Sequence, residues 1–388
     1  MRRRGVLISI LIVGVVLAGG YAAVPYARAL LLVIRAANVG GQLETFADRQ
    51  ARTVAITERA SIPTRHGAVP ARLYEPDGGF RRTILLIPGI HAAGIDEPRL
   101  TGLARDLAGS GVAVMTLALP DLRRYRITPN ATDVIEDAVA WLSRQSRLAP
   151  DGQIGLIGVS FAGGLSIVAA GRDAIKDRVA FVVSFGGHGD LPRVMQYLCT
   201  GRSVPVEGLV YHRPHDYGVA VILYGIAHTV VPPEQVEPLL EGVQTFLLAS
   251  QLTLIDRGLA DATFEKARSI AKTLPEPSSI YLSYVNDRNV DALGRVLAPR
   301  LAALASDNPA LSPQRAPAPP VAPVYLLHGA NDAVIPAAES VLLAQHFDGT
   351  ATVRLLLSYL ITHAEVDQHA TAAEAWRLVA FWADVLQQ

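Results

Sequence analysis

Short apolar runs alternate with segments of helical spacing through most of this chain. The apolar runs predict strands at 82–89, 112–120, 154–160, 179–185, 324–329 and 351–358. The intervening spacing predicts helices at 96–110, 132–148, 165–171, 336–347 and 369–386. Runs of Val, Ile and Leu without polar interruption are typical of parallel strands buried on both faces. The pattern therefore predicts an α/β fold in which helices cover both faces of a mostly parallel sheet.

Two departures from this alternation divide the chain. Residues 54–76 alternate apolar and polar positions and predict two strands joined around His66 and Gly67. From about residue 190 to 306 the spacing is helical throughout, which predicts an insertion into one core. We divide the chain into an N-terminal membrane anchor or signal peptide (1–34), a polar stalk (35–52), the first part of the core (53–190), a helical lid insertion (191–306), a proline-rich linker (307–323) and the second part of the core (324–388).

The first residues indicate a location. Arg2, Arg3 and Arg4 precede an apolar stretch that meets no charge until Arg28. About 20 apolar residues suffice to cross a bilayer as a helix. Basic residues ahead of the span favour a cytoplasmic N-terminus, so we expect an N-terminal membrane helix with the rest of the chain extracytoplasmic. The alternative is a cleaved signal peptide and secretion, although Ala18-Gly19-Gly20 fits a cleavage site poorly.

Composition narrows the classes of function. The 388 residues are 50% hydrophobic with a formal net charge of zero, so no basic surface for nucleic acid is expected. The single cysteine, Cys199, excludes an internal disulfide and a cysteine-built metal site. No histidine pair has metal spacing and no glycine-rich loop has a phosphate-binding context. We therefore expect no metal and no cofactor.

Ser160 is the first candidate for chemistry. It ends the apolar run IGLIGVS within GVSFAGG (158–164), ahead of a helical segment. A serine at a sharp strand-to-helix turn with small neighbours is typical of a nucleophile elbow. The backbone crowds at such a turn, so Gly158 and Ala162 have to be small. The alternative is a serine in an ordinary turn.

A serine nucleophile needs a base and a group that orients the base. Asp332 follows a predicted strand within HGANDAVIP (328–336), and His363 follows the next strand within SYLITHAEV (358–366). The order serine, acid, histidine is the one expected for this arrangement of strands. His369 is the alternative base, and Asp332 has the alternative role of capping the next helix.

Attack on a carbonyl also requires N–H donors for the oxyanion. We expect one from Phe161, the residue after the nucleophile, and one from the loop PGIHAAG (88–94). In that loop Ile90 is the first choice and His91 the second. His188, in FGGHGD after the strand at 179–185, is a candidate for the mouth of the substrate pocket or a turn residue.

Together, PGIHAAG, GVSFAGG, HGANDAVIP and SYLITHAEV resemble the motifs of the α/β-hydrolases over about residues 60–387, apart from the insertion. Two positions depart from the usual pattern: Ala162 replaces the last glycine of the elbow, and Pro88 replaces a histidine ahead of Gly89. The resemblance implies hydrolysis of an ester, a thioester or a related acyl bond through an acyl-serine intermediate. It does not choose the substrate, because this fold serves many chemistries.

Three functions follow from these observations. The first is a carboxylic ester hydrolase acting on a small-molecule or lipid-like acyl substrate. The second is an acyltransferase in which an alcohol replaces water, which depends on whether the lid excludes water. The third is a non-catalytic binding protein that keeps the fold.

Overall fold

The computed structural model describes residues 23–253, 256–304, 308–361 and 371–388. Within these ranges eight strands form one sheet: β1 Val54–Thr64, β2 Gly67–Pro76, β3 Thr83–Ile87, β4 Ala113–Leu117, β5 Ile154–Val159, β6 Val179–Phe185, β7 Val324–Gly329 and β8 Val353–Ser358. The helices of the described ranges are α1 (23–36), α2 Gly41–Gln50, α3 Pro98–Gly109, α4 Pro120–Arg123, α5 Pro129–Leu142, α6 Phe161–Ala170, α7 Leu191–Thr200, α8 Asp216–Val230, α9 Pro233–Leu252, α10 Arg257–Thr273, α11 Ser278–Asn286, α12 Val290–Leu304, α13 Ala338–His346 and α14 Ala372–Val385.

The strand order is β1-β2-β4-β3-β5-β6-β7-β8. β2 pairs antiparallel with both β1 and β4, and every pairing from β4 through β8 is parallel. All six strands predicted from the apolar runs are present, so the expected α/β architecture is confirmed. Because parallel strands share a direction, the ends of β3, β5, β6, β7 and β8 meet at one carboxyl edge.

Each strand contributes side chains to two apolar layers, one on each face of the sheet, because successive side chains point to opposite faces. Leu85 and Ile87 of β3 join a cluster with α5 and α6, whereas Ile84 and Leu86 join a cluster with α3 and α14. All five residues of β3 are buried, as its unbroken apolar sequence predicts.

In the described part of the chain, the six helices α7–α12 lie between β6 and β7 and build an apolar cluster of their own. Phe161 and Ile335 of the core belong to that cluster, so the insertion packs on the carboxyl edge of the sheet. Helix α10, Arg257–Thr273, is one of the helices that the helical spacing of this region leads us to expect.

The structure shows contacts to the core in two of the segments predicted from sequence. Residues 23–34, assigned to the anchor, lie in α1, where Ala29 and Leu32 are buried against the core. The described part of the linker, 308–323, is fastened to the protein: Ser312 Oγ accepts the Leu191 N–H at 2.9 Å. In both cases the packing partners are far away in sequence. Residues 1–22 lie outside the described ranges, and within those ranges no helix has the length and hydropathy of a membrane span.

Candidate active site

Ser160 occupies a strained turn between β5 and α6. Its backbone angles are φ 56° and ψ −133°, a region that costs a residue other than glycine roughly 1–3 kcal/mol. Its N–H donates to the Phe185 carbonyl at 2.7 Å, and its own carbonyl accepts the Gly163 N–H at 2.8 Å. β6 and α6 therefore fix the turn from both sides. This is the strand–turn–helix geometry of a nucleophile elbow.

The small residues around Ser160 fill positions where a side chain has no room. A Cβ on Gly158 would lie 2.3 Å from the Ala162 carbonyl oxygen. A Cβ on Gly164 would lie 2.6 Å from the His188 carbonyl oxygen. Gly164 thus lets the elbow helix rest directly on the loop after β6, and Gly158 leaves room for the first turn of that helix.

Gly89 brings the loop after β3 against the elbow. A Cβ at this position would lie 2.9 Å from the Ser160 Cβ and 3.6 Å from its Oγ. The peptide between Gly89 and Ile90 therefore lies beside the candidate nucleophile, where a second oxyanion donor is needed. This placement favours Ile90 as the donor, and the roles of Ile90 and Phe161 stay predictions.

His91, the second choice, turns its side chain back into its own loop. Its Nδ1 accepts the Ala93 N–H at 3.1 Å, and its carbonyl accepts the Gly94 N–H at 2.9 Å. Burial lowers the pKa of His91, so the imidazole is neutral at pH 7. Arg123 Nε donates to the Ala92 carbonyl at 3.2 Å, which joins this loop to the end of α4.

Asp332 lies just after β7 with its side chain buried. Its Oδ1 accepts the N–H groups of Val334 at 2.8 Å and Ile335 at 3.0 Å. Its Oδ2 lies 3.5 Å from Nε2 of His328. The carboxylate therefore caps a turn with one oxygen, so the capping role and the orienting role are compatible.

The ends of β5 and β7 flank β6, so they lie about 10 Å apart along the carboxyl edge. An imidazole that bonds to Ser160 and Asp332 would have to come from a neighbouring loop. β8 ends at this edge with Ser358, and the described chain continues to Ile361. The predicted base His363 and the alternative His369 lie outside the described residues.

His188, a candidate for the pocket mouth or for a turn residue, lies in the interior, in the loop after β6. Its side chain has no exposed surface, and Nε2 bonds to the Leu311 carbonyl at 2.7 Å. Its ring lies 5.5 Å from the Phe161 ring, centroid to centroid. Burial lowers the pKa of His188 and keeps the ring neutral. His188 therefore connects the elbow to the segment after the insertion.

Sequence reasoning missed the hydrogen bonds that support Asp332. His328, the last strand residue but one, lies 2.8 Å from the Ile335 carbonyl through Nε2 and 2.7 Å from Ser340 Oγ through Nδ1. A carbonyl only accepts, so Nε2 carries the proton. His328 could have been singled out, because it is the first residue of the motif HGANDAVIP. Its hydrogen-bond partners are set by the fold and are not predicted by the sequence.

An ion pair with a buried carboxylate was also missed. Glu339 of α13 pairs with Arg193 of α7, with Nε–Oε1 at 2.5 Å and Nη2–Oε2 at 2.9 Å. Its Oε2 also accepts the N–H groups of Gly189 and Asp190 at 3.0 and 2.9 Å. One carboxylate therefore joins the loop after β6, the insertion and the second part of the core.

Apolar side chains of the insertion, which we call the apolar wall, pack against the two candidate oxyanion residues. The Phe161 side chain lies in the insertion cluster, and Ile90 packs against it. Tyr125 anchors one side of this wall, because its hydroxyl accepts from Gln251 Nε2 of α9 at 3.0 Å. Burial raises the pKa of Tyr125, so its phenol stays neutral. This wall thus offers apolar surface and a neutral phenol.

Comparison with known proteins gives only distant similarities. No family model and no curated protein matches the chain. Among solved structures, an esterase of the archaeon Pyrobaculum calidifontis is 16% identical with a TM-score of 0.47, over 94% of this chain and 90% of that one. An esterase of Pyrococcus furiosus is 12% identical with a TM-score of 0.43, over 85% and 89%. An acylaminoacyl peptidase of Pyrococcus horikoshii is 11% identical with a TM-score of 0.43, over 89% of this chain and 43% of that one.

The strand order, the antiparallel β2, the elbow after β5 and the acid after β7 together define an α/β-hydrolase fold. The fold expected from the sequence motifs is confirmed.

Proposed function

We propose that this protein is a serine hydrolase that cleaves a carboxylic ester with an apolar acyl group. The observation that carries the proposal is the Ser160 turn. A buried serine at φ 56° persists at the carboxyl edge, two strands from a buried carboxylate that caps its own turn with one oxygen. Strain of this kind clusters at functional sites.

In this mechanism His363 takes the Ser160 proton while Oγ attacks the ester carbonyl. Asp332 holds the imidazole and stabilises the imidazolium. The N–H groups of Phe161 and Ile90 stabilise the oxyanion. The alcohol leaves with the proton from His363. His363 then takes a proton from water, which attacks the acyl-serine carbonyl, and returns that proton to Ser160 Oγ as the carboxylic acid leaves.

The surroundings support the choice of an apolar acyl group. Phe161 and Ile90 carry the two proposed donors, and their side chains lie against the apolar cluster of the insertion. An acyl chain that extends from the oxyanion site in this direction contacts apolar side chains rather than charged groups. We propose that α7–α12 act as a lid over this path and that residues 5–22 anchor the protein in a membrane.

Substitution of the nucleophile tests the proposal. In the full chain in detergent, Ser160→Ala should lower hydrolysis of p-nitrophenyl esters by at least about 10³-fold and abolish labelling by a fluorophosphonate. Ser166→Ala is the matched control: Ser166 lies in the same helix, and its Oγ bonds only to the Ala162 carbonyl among the described residues, at 2.7 Å. It should retain activity and labelling.

A wild-type chain that neither turns over esters of any acyl length nor takes up the probe would contradict the proposal. Esters of graded length test the apolar path, and kcat/KM should rise with chain length. Product analysis with an added acceptor alcohol separates hydrolysis from acyl transfer, because transfer yields a new ester.

A further inference from the structure

Helix α1 crosses one face of the sheet in a defined direction. Near its end, Arg35 is buried and donates from Nη2 to the Asp106 carbonyl at 2.8 Å and to Ser110 Oγ at 2.9 Å. Both partners lie at the C-terminal end of α3, just before β4 begins. The C-terminal end of α1 is therefore at the amino edge of the sheet, opposite Ser160.

The other end of α1 lies at the carboxyl edge. The Tyr26 ring stacks on Trp376 of α14, with centroids 5.6 Å apart and planes 10° from parallel. α14 starts after the loop that follows β8, and Asp384 near its end pairs with Arg354 at the start of β8. Trp376 thus lies towards the carboxyl edge, and residues 23–26 enter the fold on the side of Ser160.

This entry point carries an exposed apolar surface. Val24, Tyr26, Leu30 and Trp376 are 43, 39, 44 and 56% exposed. The inner side of the same helix is buried through Ala29 and Leu32, so the surface is not an unpacked core. Tyr and Trp are the residues enriched where a protein crosses from lipid to water.

The sequence ahead of α1 indicates what covers this surface. Residues 5–22 contain no charged side chain, follow three arginines, and end where the surface begins. We propose that Val24, Tyr26, Leu30 and Trp376 rest on a lipid bilayer at the point where residues 5–22 insert, with the Ser160 edge of the sheet turned towards the lipid. We call these four residues the entry surface.

The orientation has a consequence for the substrate, which rests on the function proposed above. A carboxyl edge that faces the bilayer receives esters from the lipid phase, and the apolar wall of the insertion continues that environment. The substrate class is then a lipid-soluble ester rather than a dissolved metabolite.

Fluorescent labels on the full chain test the orientation without any need for catalysis. In a Cys199→Ala background, Ala373→Cys places a label one helical turn from Trp376 and leaves the Tyr26 stack intact. Ala36→Cys is the matched control at the amino edge, about 20 Å along α1 from residue 23. Both alanines are exposed, and Cys199 is buried.

In vesicles of phosphatidylcholine and phosphatidylglycerol that contain doxyl-labelled lipid, the label at 373 should lose fluorescence and shift to shorter wavelength. The label at 36 should do neither. An unquenched label at 373, or equal quenching at both sites, would overturn the proposal. A shift to shorter wavelength at 373 in the absence of lipid would also overturn the proposal. A shift that grows with protein concentration would show that a second copy covers the surface. A shift independent of concentration would show that residues 5–22 cover it themselves.

Discussion

At the residue scale, Ser160 holds a backbone conformation that its own side chain disfavours. The roughly 1–3 kcal/mol of strain is maintained because Phe185 and Gly163 bond to the serine backbone on both sides. The result is a hydroxyl at the end of β5 rather than within the sheet. Gly89 completes the arrangement, because its missing side chain lets the candidate oxyanion loop approach.

Gly89→Ala should therefore damage the site more than the fold. The new Cβ would meet the Ser160 Cβ at 2.9 Å and the Val159 carbonyl oxygen at 3.1 Å, which forces the loop away from the nucleophile. Because such displacement is costly to catalysis, kcat for a short ester should fall at least about 10²-fold. Gly102→Ala in α3 is the control, since its Cβ would meet no atom within 4 Å. Equal activity of the two variants would show that the approach of the loop is unimportant.

Asp332→Asn separates the capping role from the catalytic role. The amide oxygen can still accept the Val334 and Ile335 N–H groups, so the unfolding midpoint should stay within a few degrees of wild type. Without the negative charge, kcat should drop about 10⁴-fold. Circular dichroism melting and ester hydrolysis measure the two effects. A variant that keeps its activity would leave Asp332 with the capping role alone.

At the scale of helices and strands, the sequence predicted the positions of the strands but not the contacts between separate elements. β3, β5 and β7 are continuous apolar runs, and burial on both faces forces that pattern. The Glu339–Arg193 pair joins residues 146 positions apart, and neither residue belongs to a motif. Such a pair forms only when the helices pack on the folded sheet, so no local sequence pattern predicts it.

Glu339→Gln should destabilise the protein by about 2 kcal/mol, because the buried carboxylate loses its charge-assisted hydrogen bonds to the partly exposed Arg193 guanidinium. The unfolding midpoint in urea measures this loss. Glu265→Gln is the matched control: its exposed pair with Arg268 on α10 is worth at most about 1 kcal/mol. A loss for Glu339→Gln no larger than that of the control would mean that the insertion is held by apolar contacts alone.

At the scale of the whole molecule, one layered sheet carries both the site and the surfaces around it. The insertion lies on the carboxyl edge through Phe161, and α1 enters from the same edge through the stack of Tyr26 on Trp376. The proposed chemistry and the proposed membrane contact therefore share one side of the protein. The change in the free energy of unfolding with acid is likewise a property of the whole molecule.

Asp216, at the start of α8, should contribute to acid sensitivity. Burial alone would raise its pKa, but His215 and the Arg288 guanidinium outweigh that effect and lower the pKa of Asp216 from 3.8 to about 2. A depressed carboxyl pKa stabilises the fold above about pH 4, and this stabilisation is lost as the pH falls towards 2. Asp216→Asn should lower the thermal midpoint at pH 6 and make its decline between pH 4 and 2 shallower.

Asp173→Asn is the control for this experiment, because Asp173 is a fully exposed carboxylate. Its midpoint should follow wild type at every pH. If Asp216→Asn declines with acid as steeply as wild type, other groups set the acid limit and the assigned pKa shift is wrong.

The sequence by itself determined the alternation of strands and helices, the position of the insertion, and Ser160 and Asp332 as candidates. These depend on periodicity and on short motifs, which neighbouring residues encode. The tertiary structure decided that Gly89 lies against Ser160, that His188 is interior, that residues 23–34 belong to the core, and that α1 enters on the Ser160 edge. Each of these depends on contact between residues far apart in the chain, which exists only once the sheet has set its strand order.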